Sequence, residues 1–346
     1  MEIAGHFDLG GTPGKVSRLG NGFINDTFVI EMSDSSSRYM LQRKNSRIFR
    51  DIPGMMNNIS LITNHLKKKI IASGGDPEKE TLTVIPTKDG KLYLLDNGEY
   101  WCVTLFIEGS VTYDRASSVS LTEKGGKGIG RFQAMLSDFD QPLTDTLPGF
   151  HNISFRFGQW DDTLKRDPVN RAAEVRHLIQ EIDQRRDEIS GFYKLIETGR
   201  IPKRVTHNDT KIANMLFDSE DNVLCVIDLD TVLQAPCLYD FGDSIRSYTN
   251  TGAEDDRNPD NVSMSMEMYE AFRRGYLSEA NAFLTSTELE YLPYSAKYIT
   301  YEQVLRFLMD YIDGDNYYKT AYPEHNLVRT VAQLKLLESI EKQLSL

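Results

Sequence analysis

Two short segments hold the residues best suited to chemistry: His207-Asn208-Asp209-Thr210-Lys211-Ile212-Ala213-Asn214 and Ile227-Asp228-Leu229-Asp230. Moving a phosphoryl group from a nucleoside triphosphate to a hydroxyl requires three things near one point. These are a carboxylate to orient the attacking hydroxyl, hard oxygen ligands for a divalent cation, and positive charge around the migrating group. Asp209 can supply the first, Asn214 and Asp228 the second, and Lys211, two residues after Asp209, can lean over the terminal phosphate. Asn214 and Asp228 lie 14 positions apart. Between them Met215-Leu216-Phe217, a polar turn at 218–222 and the apolar run 223–227 spell a hairpin that brings the two side chains together. HxDxxxxN alone is moderately specific, and the strand–turn–strand ending in an aspartate raises its specificity considerably.

These residues need a frame. From 16 to 107 the pattern is one of short strands at 23–32, 38–43, 81–85, 91–95 and 100–107. Asp89-Gly90 and Asn97-Gly98 separate the later ones and suit the positive φ of tight hairpins. One helix interrupts them. Ile52, Met56, Ile59, Thr63, Leu66 and Ile70 recur every three or four residues, with Pro53 in the first turn and Gly74-Gly75 beyond the end. After 107 helical spacing takes over, as in Ile129, Phe132, Leu136 and Phe139, and again in Leu178, Ile182, Ile189, Phe192 and Ile196. The stretch 288–346 is helical in pattern apart from a polar break at Asp313-Gly314-Asp315. The expected fold is α+β and bilobal: a small antiparallel β-rich lobe with one helix at 1–107, then a larger, mainly helical lobe at 108–346.

The 346 residues carry 39 Lys+Arg against 51 Asp+Glu, a formal net charge of −12, with 40% hydrophobic residues. That composition builds a sizeable core and argues against nucleic acid and anionic membranes as partners, since both need a cationic field. Three cysteines without CxxC pairing fit a reducing compartment. No signal peptide or membrane-spanning run is legible, so a cytoplasmic location is expected. Oligomeric state is not legible.

A catalytic loop of HxDxKxxN form, a hairpin and a metal-binding aspartate together resemble the protein-kinase-like fold. With IDLD in the last position, the pattern is similar to the aminoglycoside phosphotransferase superfamily. Strings along nearly the whole chain resemble N-acetylhexosamine 1-kinases. They are Gly22-Phe23-Ile24-Asn25-Asp26-Thr27-Phe28, Met40-Leu41-Gln42-Arg43, Val205-Thr206-His207-Asn208-Asp209-Thr210-Lys211, Leu238-Tyr239-Asp240-Phe241-Gly242-Asp243-Ser244-Ile245-Arg246 and Arg306-Phe307-Leu308-Met309-Asp310-Tyr311.

That resemblance implies ATP and Mg²⁺ as cofactors and a small-molecule sugar as substrate, phosphorylated at the anomeric hydroxyl. Asp209 would be the catalytic base, Lys211 a phosphate-side cation, and Asn214 and Asp228 the Mg²⁺ ligands, with Asp230 in the outer shell. Gly20, Asn21, Gly22 and Phe23 would cover the phosphates, and Phe106, Ile107 and Glu108 would meet the adenine edge. Arg43 would hold phosphate from the third strand, with Lys44 competing for that role. Residues 46–76 hold no Glu to pair with either. Arg306 and Tyr317 would contact the sugar. A kinase of another small alcohol (choline, homoserine, methylthioribose, an aminoglycoside) is the alternative enzyme, and a non-catalytic nucleotide-binding module is the alternative class.

Some residues invite a plainer reading. His207 is expected to scaffold the loop rather than react, and Asp240 to be buried and tied to the loop's backbone. Gly125-Gly126-Lys127-Gly128-Ile129-Gly130 and Gly11-Thr12-Pro13-Gly14-Lys15-Val16 fail the GxxxxGK(S/T) spacing, so both are expected to be flexible loops.

Overall fold

The computed structural model describes residues 2–19 and 24–346. The chain divides into two units. The first comprises Met1–Thr112, Met135–Pro148 and Asn214–Gln234; the second comprises Tyr113–Ala134, Gly149–Ala213 and Ala235–Leu346. The hairpin that follows the HxDxKxxN segment therefore groups with the β-rich start of the chain.

In the first unit, β1 (Pro13–Arg18), β2 (Asp26–Met32) and β3 (Arg38–Lys44) are followed by α1 (Ile52–Ala72) and the single turn α2 (Pro77–Glu80). Then come β4 (Val84–Ile85), β5 (Leu94–Asp96) and β6 (Glu99–Leu105). The strands form an antiparallel sheet in the order β1-β2-β3-β6-β4, with β5 also paired to β6. Alternation sets its faces: Tyr39 and Leu41 of β3 join Ile30, Met32 and Val103 in a core with Ala4, Phe7 and Leu9. Asn97 (φ 49°) and Gly98 (φ 81°) make the β5–β6 turn with the left-handed backbone that such hairpins need.

The Asp51 carboxylate caps α1 by accepting from the Gly54 N–H, and Pro53 lies in the first turn. The helix buries Ile52, Met56, Ile59, Thr63, Leu66 and Ile70, as the spacing predicts, together with Met55 and Ile62 beside them. Residues 229–231 pack against it. The segment 11–16, expected as a loop, supplies most of β1 instead. There the pairing of Val16 with Ile30 and of Lys15 with Glu31 outweighs the local turn residues.

The second unit is built from α3 (Val119–Met135), α4 (Ile153–Arg166), α5 (Arg176–Glu197), the short β7 (Arg204–Thr206), α6 (Cys237–Tyr248), α7 (Met266–Ala280), α8 (Ser286–Ile312) and α9 (His325–Leu344). The hairpin between, β8 (Met215–Phe217) and β9 (Val223–Val226), belongs to the first unit. Helix α8 starts at a capping box between Thr285 and Glu288 and packs against α6 and α9. It stops where the polar break was expected, at Gly314 (φ 95°) and Asp315 (φ 61°).

The glycine run 125–130 is not a loop; it lies inside α3. A Cβ on Gly126 would sit 2.2 Å from the Phe272 carbonyl oxygen, and one on Gly275 would sit 1.9 Å from that of Glu123. The glycines let the backbones of α3 and α7 approach closely, and this tertiary gain offsets their low helix propensity. Among the described residues, no helix is long and apolar enough to cross a membrane.

Candidate active site

The loop after β7 is held rigid from beneath. Asn208 adopts a left-handed backbone (φ 67°), and its side-chain oxygen accepts from the Thr206 hydroxyl at 3.0 Å. Asp240, fully buried in the first turn of α6, accepts the His207 N–H at 3.0 Å and the Asn208 N–H at 2.7 Å. Gln133 of α3 donates to the same carboxylate at 2.8 Å. Burial pushes the Asp240 carboxyl above its ordinary value, against the pull of His207 and these donors. The Thr210 hydroxyl donates to the Asp240 carbonyl at 2.6 Å.

His207 is wholly buried, with Nδ1 accepting from the Asp209 N–H at 3.2 Å and its ring edge-on to Phe132. The scaffolding expected of His207 and Asp240 is what the structure shows. The half-buried Asp209 carboxylate that this frame presents accepts from Lys211 Nζ at 2.7 Å.

The same unit contains a cavity of about 400 Å³ whose lining includes Arg156, Arg166, Arg306, Asp310, Tyr317 and Tyr318. Asp310 shapes it. Its carboxylate accepts the backbone N–H groups of Asn316 (2.9 Å), Tyr317 (2.8 Å) and Tyr318 (3.0 Å), which fixes the turn presenting the two phenols. Asp162 and Asp313 are both paired with Arg166. Arg306 is 9% exposed, and among the described residues its guanidinium makes a single long bond, 3.5 Å to the Tyr317 hydroxyl. It stands 5.6 Å from the ring centroids of Phe150, Tyr317 and Tyr318 alike. Arg306 and Tyr317, paired in the sequence reading as sugar contacts, share one wall of this cavity. Arg156 and Tyr318 were missed, although Tyr318 adjoins a residue already chosen.

In the first unit, the Ile227 N–H donates to the Asn214 carbonyl at 2.9 Å, and Met215 faces Val226 across the hairpin. Asn214, 5% exposed, and Asp228, in a left-handed conformation (φ 59°), therefore sit at the same end of β8 and β9. An amide oxygen and a carboxylate suit Mg²⁺, which takes few protein ligands and keeps sites for water and phosphate. Among the described residues no group of three His, Cys, Asp or Glu gathers as an all-protein cage.

Two residues on, Asp230 accepts Lys44 Nζ at 2.7 and 2.9 Å and Asn25 Nδ2 at 2.7 Å. Burial disfavours the Lys44 ammonium, but Asp230 outweighs it and holds the group above its ordinary value. Arg43, one position earlier, points to the other face and pairs with Asp26 at 2.5 Å. Phe106 lies under Arg38, whose guanidinium forms a forked pair with Glu108. Ile107 is buried, its carbonyl accepting from Ser110. Gly20, Asn21, Gly22 and Phe23, expected at the phosphates, lie outside the described residues.

An antiparallel sheet with one long helix, joined in sequence to a mostly helical unit whose buried aspartate braces an HxDxKxxN loop, defines a protein-kinase-like α+β fold. Solved structures share it. The chain matches a choline kinase from Cryptosporidium parvum Iowa II with a TM-score of 0.62 at 15% identity, covering 96% of this chain and 90% of that one. A spectinomycin phosphotransferase bound to ADP and spectinomycin gives 0.60 at 14%, covering 96% and 93%. An ethanolamine kinase from Plasmodium vivax gives 0.58 at 14%, covering 92% and 82%. More specifically, residues 15–285 match the model of the phosphotransferase enzyme family (APH), and the chain belongs to that family. It is a phosphotransferase.

Proposed function

We propose that the protein transfers the γ-phosphoryl group of ATP to the anomeric hydroxyl of an N-acetylhexosamine, giving the sugar 1-phosphate. The observation that carries this acceptor class is the state of Arg306. A buried guanidinium with donors to spare on a cavity wall favours a neutral acceptor rich in oxygen, such as a sugar with an amide carbonyl. It disfavours an ammonium acceptor, because the aromatic faces that would cage one already hold the arginine's own charge. Most cavity carboxylates that could attract a cation are engaged with Arg166 or with backbone N–H groups. The strings shared with N-acetylhexosamine 1-kinases point the same way.

In this reading Asp209 orients the acceptor hydroxyl and takes its proton, and Lys211 passes its charge from Asp209 to the phosphate side. Asn214 and Asp228 would hold Mg²⁺, which would supply positive charge to offset that of the nucleotide phosphates. Lys44 meets phosphate, Arg43 stays on Asp26, and the 106–108 backbone meets adenine.

The test is ADP release with MgATP against a panel of N-acetylhexosamines, hexoses, amino alcohols and aminoglycosides, with the product phosphate located by ³¹P NMR. Turnover confined to the amino alcohols or aminoglycosides would reject the sugar reading. Asp209→Asn is expected to lower kcat by roughly 10³-fold or more, with ATP affinity within about threefold.

A further inference from the structure

His151 has no part in the roles assigned above, yet its surroundings are unusual. It adopts a left-handed backbone (φ 53°), uncommon for a non-glycine residue and often a mark of functional constraint. Its side chain is almost wholly buried, and each ring nitrogen faces an oxygen. Nε2 lies 3.0 Å from the Asn208 carbonyl, in the peptide that leads into Asp209, and Nδ1 lies 2.5 Å from Glu302 Oε2.

A carbonyl and an ionised carboxylate can only accept, so both ring nitrogens donate and the ring is an imidazolium. Glu302 of α8 is kept ionised by a second donor, Arg156 Nε at 3.3 Å from Oε1, and Arg156 lines the cavity. The Tyr298 hydroxyl donates to the His151 carbonyl at 2.8 Å. The adjacent Phe150 ring lies tilted against His151, with centroids 4.2 Å apart, and the Arg306 guanidinium stands 5.6 Å from its centroid. One continuous chain of charged hydrogen bonds therefore runs from the cavity wall to the backbone that presents Asp209.

We propose that His151 and Glu302 are positioning residues that couple the cavity to the catalytic loop through the Asn208 carbonyl. A group bound at Arg156 and Arg306 competes with Glu302 for their charge. Glu302 then bears more strongly on His151, and the imidazolium fixes the 208–209 peptide that aims the Asp209 carboxylate. This rests on the reading of the cavity as the acceptor site and of Asp209 as the base.

Two measurements on the full chain test it. The first needs no acceptor: amide hydrogen exchange of the ligand-free protein and of Glu302→Gln, which keeps the shape and removes the charge. Exchange at 208–211 is expected to quicken at least tenfold in the variant, while α9 and the thermal midpoint hold. Unchanged exchange at 208–211 overturns the coupling. The second takes whichever panel alcohol the wild type phosphorylates. Glu302→Gln and His151→Gln are expected to lower kcat 10- to 100-fold, with KM for ATP within twofold and the alkaline limb of the rate profile displaced. Unchanged kcat in Glu302→Gln overturns the proposal even if His151→Gln does not fold. A wild type that accepts only a non-sugar alcohol rejects the acceptor reading and leaves the coupling to be judged on that alcohol.

Discussion

Lys44 Nζ sits between the two carboxylate oxygens of Asp230, at 2.7 and 2.9 Å, and both side chains are buried, at 3% and 4% exposure. In protein kinases a lysine on the third strand pairs with a helix glutamate, and α1 of this chain has no glutamate. Here the carboxylate comes instead from just beyond Asp228. Through Asn25 it also reaches the start of β2, because Asn25 donates to Asp230 and accepts the Asn45 N–H.

Lys44→Met should therefore do two separable things. Leaving Asp230 buried without its cation costs about 3 kcal/mol or more of stability, read by urea denaturation. In the proposed reading Lys44 is also the cation at the phosphate, and its loss should lower kcat/KM for ATP by roughly 10²-fold. Adding Asp230→Leu should restore much of the stability and none of the activity. Arg43→Ala, whose partly exposed ion pair contributes little, should stay within about threefold of wild type. An Arg43→Ala defect larger than that of Lys44→Met would reverse the assignment.

Arg306→Gln should raise KM for the acceptor by roughly 10- to 100-fold, the effect of losing a hydrogen bond from a charged donor, with KM for ATP unchanged. Tyr317→Phe should show the same selectivity with a smaller effect. Initial-rate kinetics with each substrate varied in turn distinguish this from a global defect, which would move both constants.

Stability should fall at both ends of the pH scale through one ion cluster. His151 is desolvated, but Glu302 and the Asn208 carbonyl outweigh that and the repulsion of Arg306, so its value lies above the ordinary 6.5. Its contribution is complete below pH 6.5 and fades as pH rises through the raised value. Glu302 is also desolvated, yet His151, Arg156 and Arg306 hold it down to about 2. Its contribution is complete above the ordinary 4.5 and is lost as pH falls toward 2. Thermal scans across this range should show His151→Gln with a weaker alkaline decline than wild type, and Glu302→Gln with a weaker acid decline.

Gly275→Ala should destabilise by roughly 2 kcal/mol, because its Cβ would meet the Glu123 carbonyl at 1.9 Å and force α3 and α7 apart. Gly158→Ala, with open space around the same added atom, is the control and should be neutral or slightly stabilising.

The sequence alone revealed whatever depends on residues close together along the chain. The spacing from Asp209 to Asn214, the hairpin that returns Asp228 beside it, the cap and stripe of α1 and the Asn97-Gly98 turn are all local. Their backbone geometry follows from a handful of neighbouring residue types. Partners far apart in sequence could be assigned only from the tertiary structure. Arg43 and Lys44 read alike as consecutive cations, but in a strand they face opposite sides of the sheet. Only the packed hairpin shows that the carboxylate 186 positions away stands on the side of Lys44. Likewise His151 and Glu302 are 151 residues apart, and no periodicity connects them. The glycines of α3 looked like a loop until α7 packed against them, because propensity is a local tendency and close helix contact is not.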